Sequence, residues 1–186
     1  MKKVLVLEGS SRPNGNTEAL TNVLMNGIER TTIFLREKNI LPIVDKRHDE
    51  DGFSIVNDDH DALMKAVFSH DILVFSTPIY WYSMSGIMKN FVDRWSQTAR
   101  DERFQMKEEM KRKEAYVVIC GGDQPRIKGL PLIQQFQHTF HFVGISFQDY
   151  IIGHAGKPGE IWNDTYALSA AQALNDVIKE KIHTQP

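Results

Sequence analysis

The chain has 186 residues, 41% hydrophobic and 25% charged, with a formal net charge of −2. Such a length and mix suit one globular domain spanning residues 1–186 with a core of its own, and they exclude a largely disordered chain. The near balance of 22 basic and 24 acidic residues argues against nucleic acid as a partner, and the single cysteine, Cys120, excludes a disulfide framework or a Cys-ligated iron–sulfur cluster.

In chain order, Lys3 to Glu8 reads as a short buried strand, because its Val and Leu residues form a continuous apolar run. A polar loop from Gly9 to Asn16 leads into a helix expected over Thr17 to Arg30, with Leu20, Val23, Leu24 and Ile28 on one face. Thr31 to Leu35 is a second strand, and Arg36 to Asn57 a long irregular connection. Asp58 or Asp59 is placed to cap a helix carrying Leu63, Met64, Val67 and Phe68. Asp71 to Ser76 is the clearest strand. A loop from Thr77 to Gly86 follows, then a helix through Met88, Phe91, Val92 and Trp95. The charged segment Arg100 to Lys113 extends that helix or starts another. Ala115 to Cys120, Leu130 to Val143 and Ile145 to Ile152 read as strand, helix and strand. Gly153 to Gly159 is a glycine-rich turn, and Asp164 to Ile182 a final amphipathic helix with Tyr166, Leu168, Ala171, Leu174, Val177 and Ile178 as its apolar set.

Five strands alternating with helices imply an α/β fold, a parallel sheet covered on both faces, with ligands at the carboxyl ends of the strands. No run approaches the ~20 apolar residues of a membrane span. The apolar run after Met1 is interrupted by Glu8 and Gly9, too early for a secretion signal. A cytoplasmic protein without a membrane partner is therefore expected.

Two loops carry the chemistry. Gly9 to Thr17, at the start of a helix, offers unpaired amides, the helix dipole, the polar side chains of Ser10, Asn16 and Thr17, and the guanidinium of Arg12. Without a Gly-Lys-Ser/Thr ending it is not a nucleotide triphosphate loop, and a monophosphate suits it better. The same composition also describes a plain turn with a capping Thr17. In the second loop Tyr80, Trp81 and Tyr82 are adjacent. Adjacent residues point in different directions, so a pure core role does not fit, which leaves a ring-stacking surface, a plug or a subunit contact. His138 and His141 are two possible ligands, too few for a metal site. Cys120 reads as a small buried residue.

The first loop, GSSRPNGNT, resembles the phosphate loop of the flavodoxin-like NAD(P)H-dependent FMN reductases. The second, STPIYWYSMSG followed by KNFVDRW, is similar to that family's aromatic-loop signature, and both motifs sit on the matching strands. The resemblance implies a flavodoxin-like, doubly wound five-stranded sheet of order 2-1-3-4-5, with FMN as cofactor and NAD(P)H as transient co-substrate. It implies that Ser10, Arg12, Asn14, Asn16 and Thr17 hold the FMN phosphate. Pro78, Ile79, Tyr80, Trp81, Tyr82 and Ser83 border the ring, and Gly121, Gly122 and Asp123 lie on its pyrimidine side. Asp93 and Arg94 are expected to be structural. The implied enzyme is a ping-pong oxidoreductase with no catalytic side chain, acting on a small-molecule acceptor such as a quinone, azo compound, nitro compound or flavin, and forming a homodimer or homotetramer. An electron carrier of flavodoxin type and a binding protein without reductase activity are the competing readings. Some relatives carry a Cys-rich segment between the second and third strands. Here Asp45 to Phe53 holds no cysteine.

Overall fold

The computed structural model describes residues 1–183. The strands are β1 (Val4–Glu8), β2 (Thr31–Phe34), β3 (Ile72–Pro78), β4 (Glu114–Gly121) and β5 (Ser146–His154). They pair in parallel in the order β2-β1-β3-β4-β5, as the flavodoxin-like resemblance implies. The helices, in chain order, are α1 (Asn16–Leu24), α2 (His60–Phe68), α3 (Gly86–Asp93), α4 (Trp95–Thr98), α5 (Met106–Met110), α6 (Pro125–Lys128), α7 (Leu130–Val143) and α8 (Thr165–His183). Because β1 lies between β2 and β3, the connections leaving β1 and β3 diverge to opposite sides, and a crevice opens at their carboxyl ends.

The central strands β1, β3 and β4 carry buried apolar runs because both sheet faces are covered there. Val4, Val6, Ile72, Val74 and Val118 point toward α1 and α8, while Leu5, Leu7, Leu73, Phe75 and Val117 point the other way, toward α2, α3 and α7. Phe75 centres the second layer, with the rings of Phe140 at 4.9 Å, Phe136 at 5.7 Å and Trp95 at 6.1 Å. Full burial of one such side chain contributes about 1.5–3 kcal/mol.

One helix boundary and one buried face differ from expectation. Helix α1 ends at Leu24 instead of continuing to Arg30: Gly27 turns the chain at a φ of +71°, and the Arg30 guanidinium folds back to donate to the Met25 carbonyl. In α8, Tyr166 and Val177 are exposed, while Ala167 and Asn175 are buried. Asn175 donates to the carbonyls of Leu24 (2.6 Å) and Asn26 (3.0 Å) at the end of α1, so a polar residue lies on the buried stripe. Of the two readings of the charged segment after α4, the structure takes the second, with the separate short helix α5.

After a 3₁₀ turn at Leu35–Glu37, the connection to α2 contains no further helix or strand, as expected. It is fastened by Arg94, at the junction of α3 and α4. The Arg94 guanidinium donates to Asp58 Oδ2 at 2.6 Å, the Leu41 carbonyl at 2.9 Å and Gln97 Oε1 at 2.8 Å. Both charged side chains are buried. Burial opposes ionisation of Asp58, but Arg94 and the amides of Leu41 and His60 outweigh it and hold the carboxyl below its ordinary range. Arg94 is thus structural, as expected, in an enclosed ion pair. Asp93 instead pairs at the surface with Lys89, at 2.6 Å.

Candidate active site

At the carboxyl ends of β1, β3 and β4 three loops meet. Among the described residues, the four non-glycine positions with positive φ all lie on them: Asn14, Trp81, Tyr82 and Gln124. Each such backbone costs on the order of 1–3 kcal/mol and tends to mark a functional site.

The first loop wraps the start of α1. Ser10 Oγ accepts from the Arg12 amide at 3.2 Å and donates to the Arg12 carbonyl at 2.9 Å, so its hydroxyl shapes the loop. The amides of Asn16, Thr17 and Glu18 have no hydrogen-bond partner among the described residues. They are the free donors of a helix N-terminus, with the positive end of its dipole behind them. Arg12 is exposed and makes no ion pair among the described residues. Asn14 is also exposed, and its amide donates to Glu18 Oε2 at 3.1 Å. The Asn16 side chain is engaged elsewhere. It donates to the Lys157 carbonyl at 2.8 Å and accepts from the Gly159 amide at 2.9 Å, tying the turn after β5 to this loop.

The second loop is a tight turn. The Tyr80 amide donates to the Ser83 carbonyl at 2.9 Å and the Ser83 amide donates back at 3.0 Å, with Trp81 (φ 50°) and Tyr82 (φ 62°) at its centre. Positive φ at both central positions is the geometry that hairpin turns ordinarily give to Asn and Gly. Here it sets out aromatic rings: Trp81 is 95% exposed and Tyr80 and Tyr82 about half exposed. Pro78 ends β3, the Ile79 amide donates to the Cys120 carbonyl at 2.8 Å, and the Ser83 hydroxyl reaches Gln135 on α7 at 3.0 Å. The hydroxyls of Ser11 and Tyr80 lie 3.3 Å apart and join this turn to the first loop.

The third loop follows β4. Asp123 accepts from Lys128 Nζ at 2.7 Å and from Tyr82 Oη at 2.9 Å. Lys128, helped by Tyr82, holds the Asp123 carboxyl below its ordinary range, and the same contact raises the Tyr82 phenol. With Ile79, Trp81, Gly121 and Gly122, these residues line a hollow of about 240 Å³. Gly122 is glycine for an internal reason: a Cβ there would come within 3.1 Å of the Gly156 Cα, because the loops after β4 and β5 pack backbone to backbone. His154 reinforces that contact, with Nε2 at 3.0 Å from the Gly122 carbonyl. Cys120 is buried, and burial pushes its thiol up to about 12, so it is not a thiolate. His138 and His141 are exposed, and no cluster of metal-ligating residues occurs among the described residues. A larger hollow of about 580 Å³ lies at the amino ends of β1, β2 and β3, between Lys3, Arg30, His70 and Lys179, away from all three loops.

Residues 2–153 match the family described as NADPH-dependent FMN reductase. The chain belongs to this family. As an FMN reductase by family, it is 49% identical to a Bacillus subtilis protein named "Putative NAD(P)H-dependent FMN-containing oxidoreductase YwqN", over 92% of this chain and 96% of that one. A solved structure described as the Trp repressor binding protein from Bacillus subtilis is 43% identical and superposes with a TM-score of 0.78, over 92% of this chain and 97% of that one. A 28% identical relative, covering 97% of each chain, is the iron-sulfur flavoprotein MJ1083 of Methanocaldococcus jannaschii. With Cys120 as its single cysteine, this FMN reductase cannot supply the four thiolates that such a cluster ordinarily takes.

The loops fit the family's cofactor. Three free amides at a helix start suit a phosphate, and rings held outward by a strained turn beside a shallow hollow suit a flat heterocycle. The sequence singled out the residues of all three loops. It missed Lys128, His154 and the structural use of the Asn16 side chain, since each depends on a contact that only the folded chain makes. No helix among the described residues is long and apolar enough to cross a membrane.

Proposed function

We propose that this FMN reductase binds FMN across the three loops and passes electrons from NAD(P)H to a small planar acceptor in ping-pong order. The observation that carries this reading is the Tyr80–Ser83 turn, whose strained backbone presents aromatic rings next to a hollow and within hydrogen-bond reach of the phosphate-type loop. When bound, FMN supplies the hydride- and electron-transfer chemistry.

The chain's residues then bind, orient and shield. The amides of Asn16 and Thr17, with Arg12, Asn14 and the Thr17 hydroxyl, would hold the phosphate, while Ser10 and the Asn16 side chain keep the loop in shape. Pro78, Ile79 and the turn Tyr80–Ser83 would flank the ring. Gly121, Gly122 and Asp123 would lie along the pyrimidine edge, where backbone amides favour the negative charge of a reduced ring. The Lys128–Asp123–Tyr82 cluster would fix the wall of that edge. Nicotinamide and acceptor would occupy the same open face in turn, so no general acid or base is required. Quinones, azo compounds, nitroaromatics and flavins share the flatness that this face accepts. An assembly of two or four copies would narrow the face further.

A visible spectrum of the purified protein with FMN, before and after anaerobic NADPH or NADH, tests the reading. Bound-flavin absorbance that bleaches with nicotinamide is expected, followed by parallel double-reciprocal lines when the acceptor is varied. Bound flavin that nicotinamide does not bleach would overturn the reductase in favour of an electron carrier, and protein that takes up no flavin would overturn the cofactor assignment.

A further inference from the structure

Beneath the first loop lies a buried carboxyl with no cation in contact among the described residues. Glu8 is the last residue of β1 and is 2% exposed. Its Oε2 lies 2.8 Å from Ser76 Oγ, across the register from β3. Ser76 Oγ lies 2.9 Å from Thr21 Oγ1, which lies 2.9 Å from the Thr17 carbonyl in the first turn of α1. This chain of oxygens has three links, and each link needs a proton. Ser76 and Thr21 bring one each, and a carbonyl brings none. With Glu8 ionised, one link sets lone pair against lone pair. With Glu8 protonated, all three bonds run in one direction, from Glu8 to Ser76, to Thr21, to the Thr17 carbonyl.

The charges facing Glu8 do not reverse this. Glu18 on α1 is a like charge. Arg36 on the 3₁₀ turn is paired with Glu18 at 3.4 Å, and Arg30 is held by Asn22 and the Met25 carbonyl. Glu8 forms no ion pair among the described residues. Burial pushes its carboxyl up to about 7, with the Ser76 hydrogen bond pulling the other way, Glu18 adding to the rise, and Arg36 and Arg30 opposing it.

We propose that Glu8 is a positioning residue for the cofactor phosphate: as the neutral acid it secures the first turn of α1 through Ser76 and Thr21, and on ionising it weakens that turn and repels the phosphate. The proposal rests on the assignment of FMN phosphate to this loop. Linkage makes the effect reciprocal, so phosphate binding favours the protonated carboxyl.

The test is FMN binding to the apoprotein, followed by flavin fluorescence quenching from about pH 6 to about pH 9, in the wild type and in Glu8→Gln. The Gln amide can donate to Ser76 but cannot ionise. A phosphate monoester loses its second proton at about pH 6, and that change is common to both proteins. The wild type is expected to lose roughly tenfold in FMN affinity relative to Glu8→Gln across this range, within the usual size of couplings between sites. Riboflavin, which lacks the phosphate, is expected to show no such difference. Coincident FMN curves with FMN bound overturn this role and leave the cofactor assignment standing. FMN that binds neither protein overturns both. Should Glu8→Gln not fold, infrared spectra of the wild-type apoprotein decide the charge state. A buried carboxylic acid band that persists at pH 6 and fades above neutrality supports the proposal, and its absence at pH 6 overturns it.

Discussion

Asp58 and Glu8 are both buried carboxyls, and their acidities are displaced in opposite directions. Asp58, at the entry to α2, receives a guanidinium at 2.6 Å and the amides of Leu41 and His60, each at 3.0 Å. These donors hold it ionised despite its burial. Glu8, at the end of β1, is met by a hydroxyl and by no cation, so burial prevails and raises its carboxyl to about 7. Burial sets the cost of the charge, and the donors that fold against the group decide whether that cost is met. One carboxyl fastens a long connection, and the other lies beneath the first loop and holds its proton far more firmly than an ordinary carboxylic acid.

The largest test of this contrast is Arg94→Met, which strands the Asp58 charge. A loss of about 3–5 kcal/mol in urea unfolding is expected, and much less when Asp58→Asn is combined with it. A small loss in the single variant would show that Asp58 does not depend on its cation. The pH dependence comes next. Glu8 has a folded value of about 7 against an ordinary 4.5, so its contribution is complete below the lower value and lost as pH rises through the higher one. Wild type should therefore lose roughly 3 kcal/mol relative to Glu8→Gln between those limits. Asp58 is displaced downward, so its share runs with the opposite sign and fades as pH falls below the ordinary carboxylate range. Denaturant midpoints at several pH values for Glu8→Gln and Asp58→Asn would show slopes of the same sign if the two carboxyls were in fact alike. Thr21→Val removes one proton from the Glu8 chain at nearly constant shape, and should cost about 1 kcal/mol at mildly acidic pH. Lys89→Ala breaks an exposed pair with Asp93 and should move stability by less than about 0.5 kcal/mol. A larger shift would mean that surface pairs matter here as much as enclosed ones.

The sheet was legible because strands covered on both faces, such as Val4–Glu8 and Ile72–Pro78, read as unbroken apolar runs. The loops were legible because their residue types are unusual, three adjacent aromatics in one and a helix start rich in small polar groups in the other. What the sequence hid were long-range polar contacts. The Asn16 side chain reads as a phosphate donor until the fold places Lys157 and Gly159 against its carboxamide, leaving only the backbone amide free. Asn175 interrupts the apolar stripe of α8 because it closes the end of α1, which lies far away in sequence. Glu8 looks like the polar end of a strand, and only the registration of β1 on β3 brings it to Ser76. Trp81 and Tyr82 gave no sign of left-handed backbone, because that conformation is ordinarily announced by Gly or Asn.

The outward set of Trp81 also has an optical consequence. Trp95 is enclosed and Trp162 is partly open, whereas the Trp81 indole stands almost wholly in water at the rim of the hollow. In a Trp162→Phe background its long-wavelength emission, quenchable by iodide, becomes a label-free signal from the mouth of the site. Any flat guest that covers the indole, coloured or not, will shift that emission to the blue and protect it from the quencher.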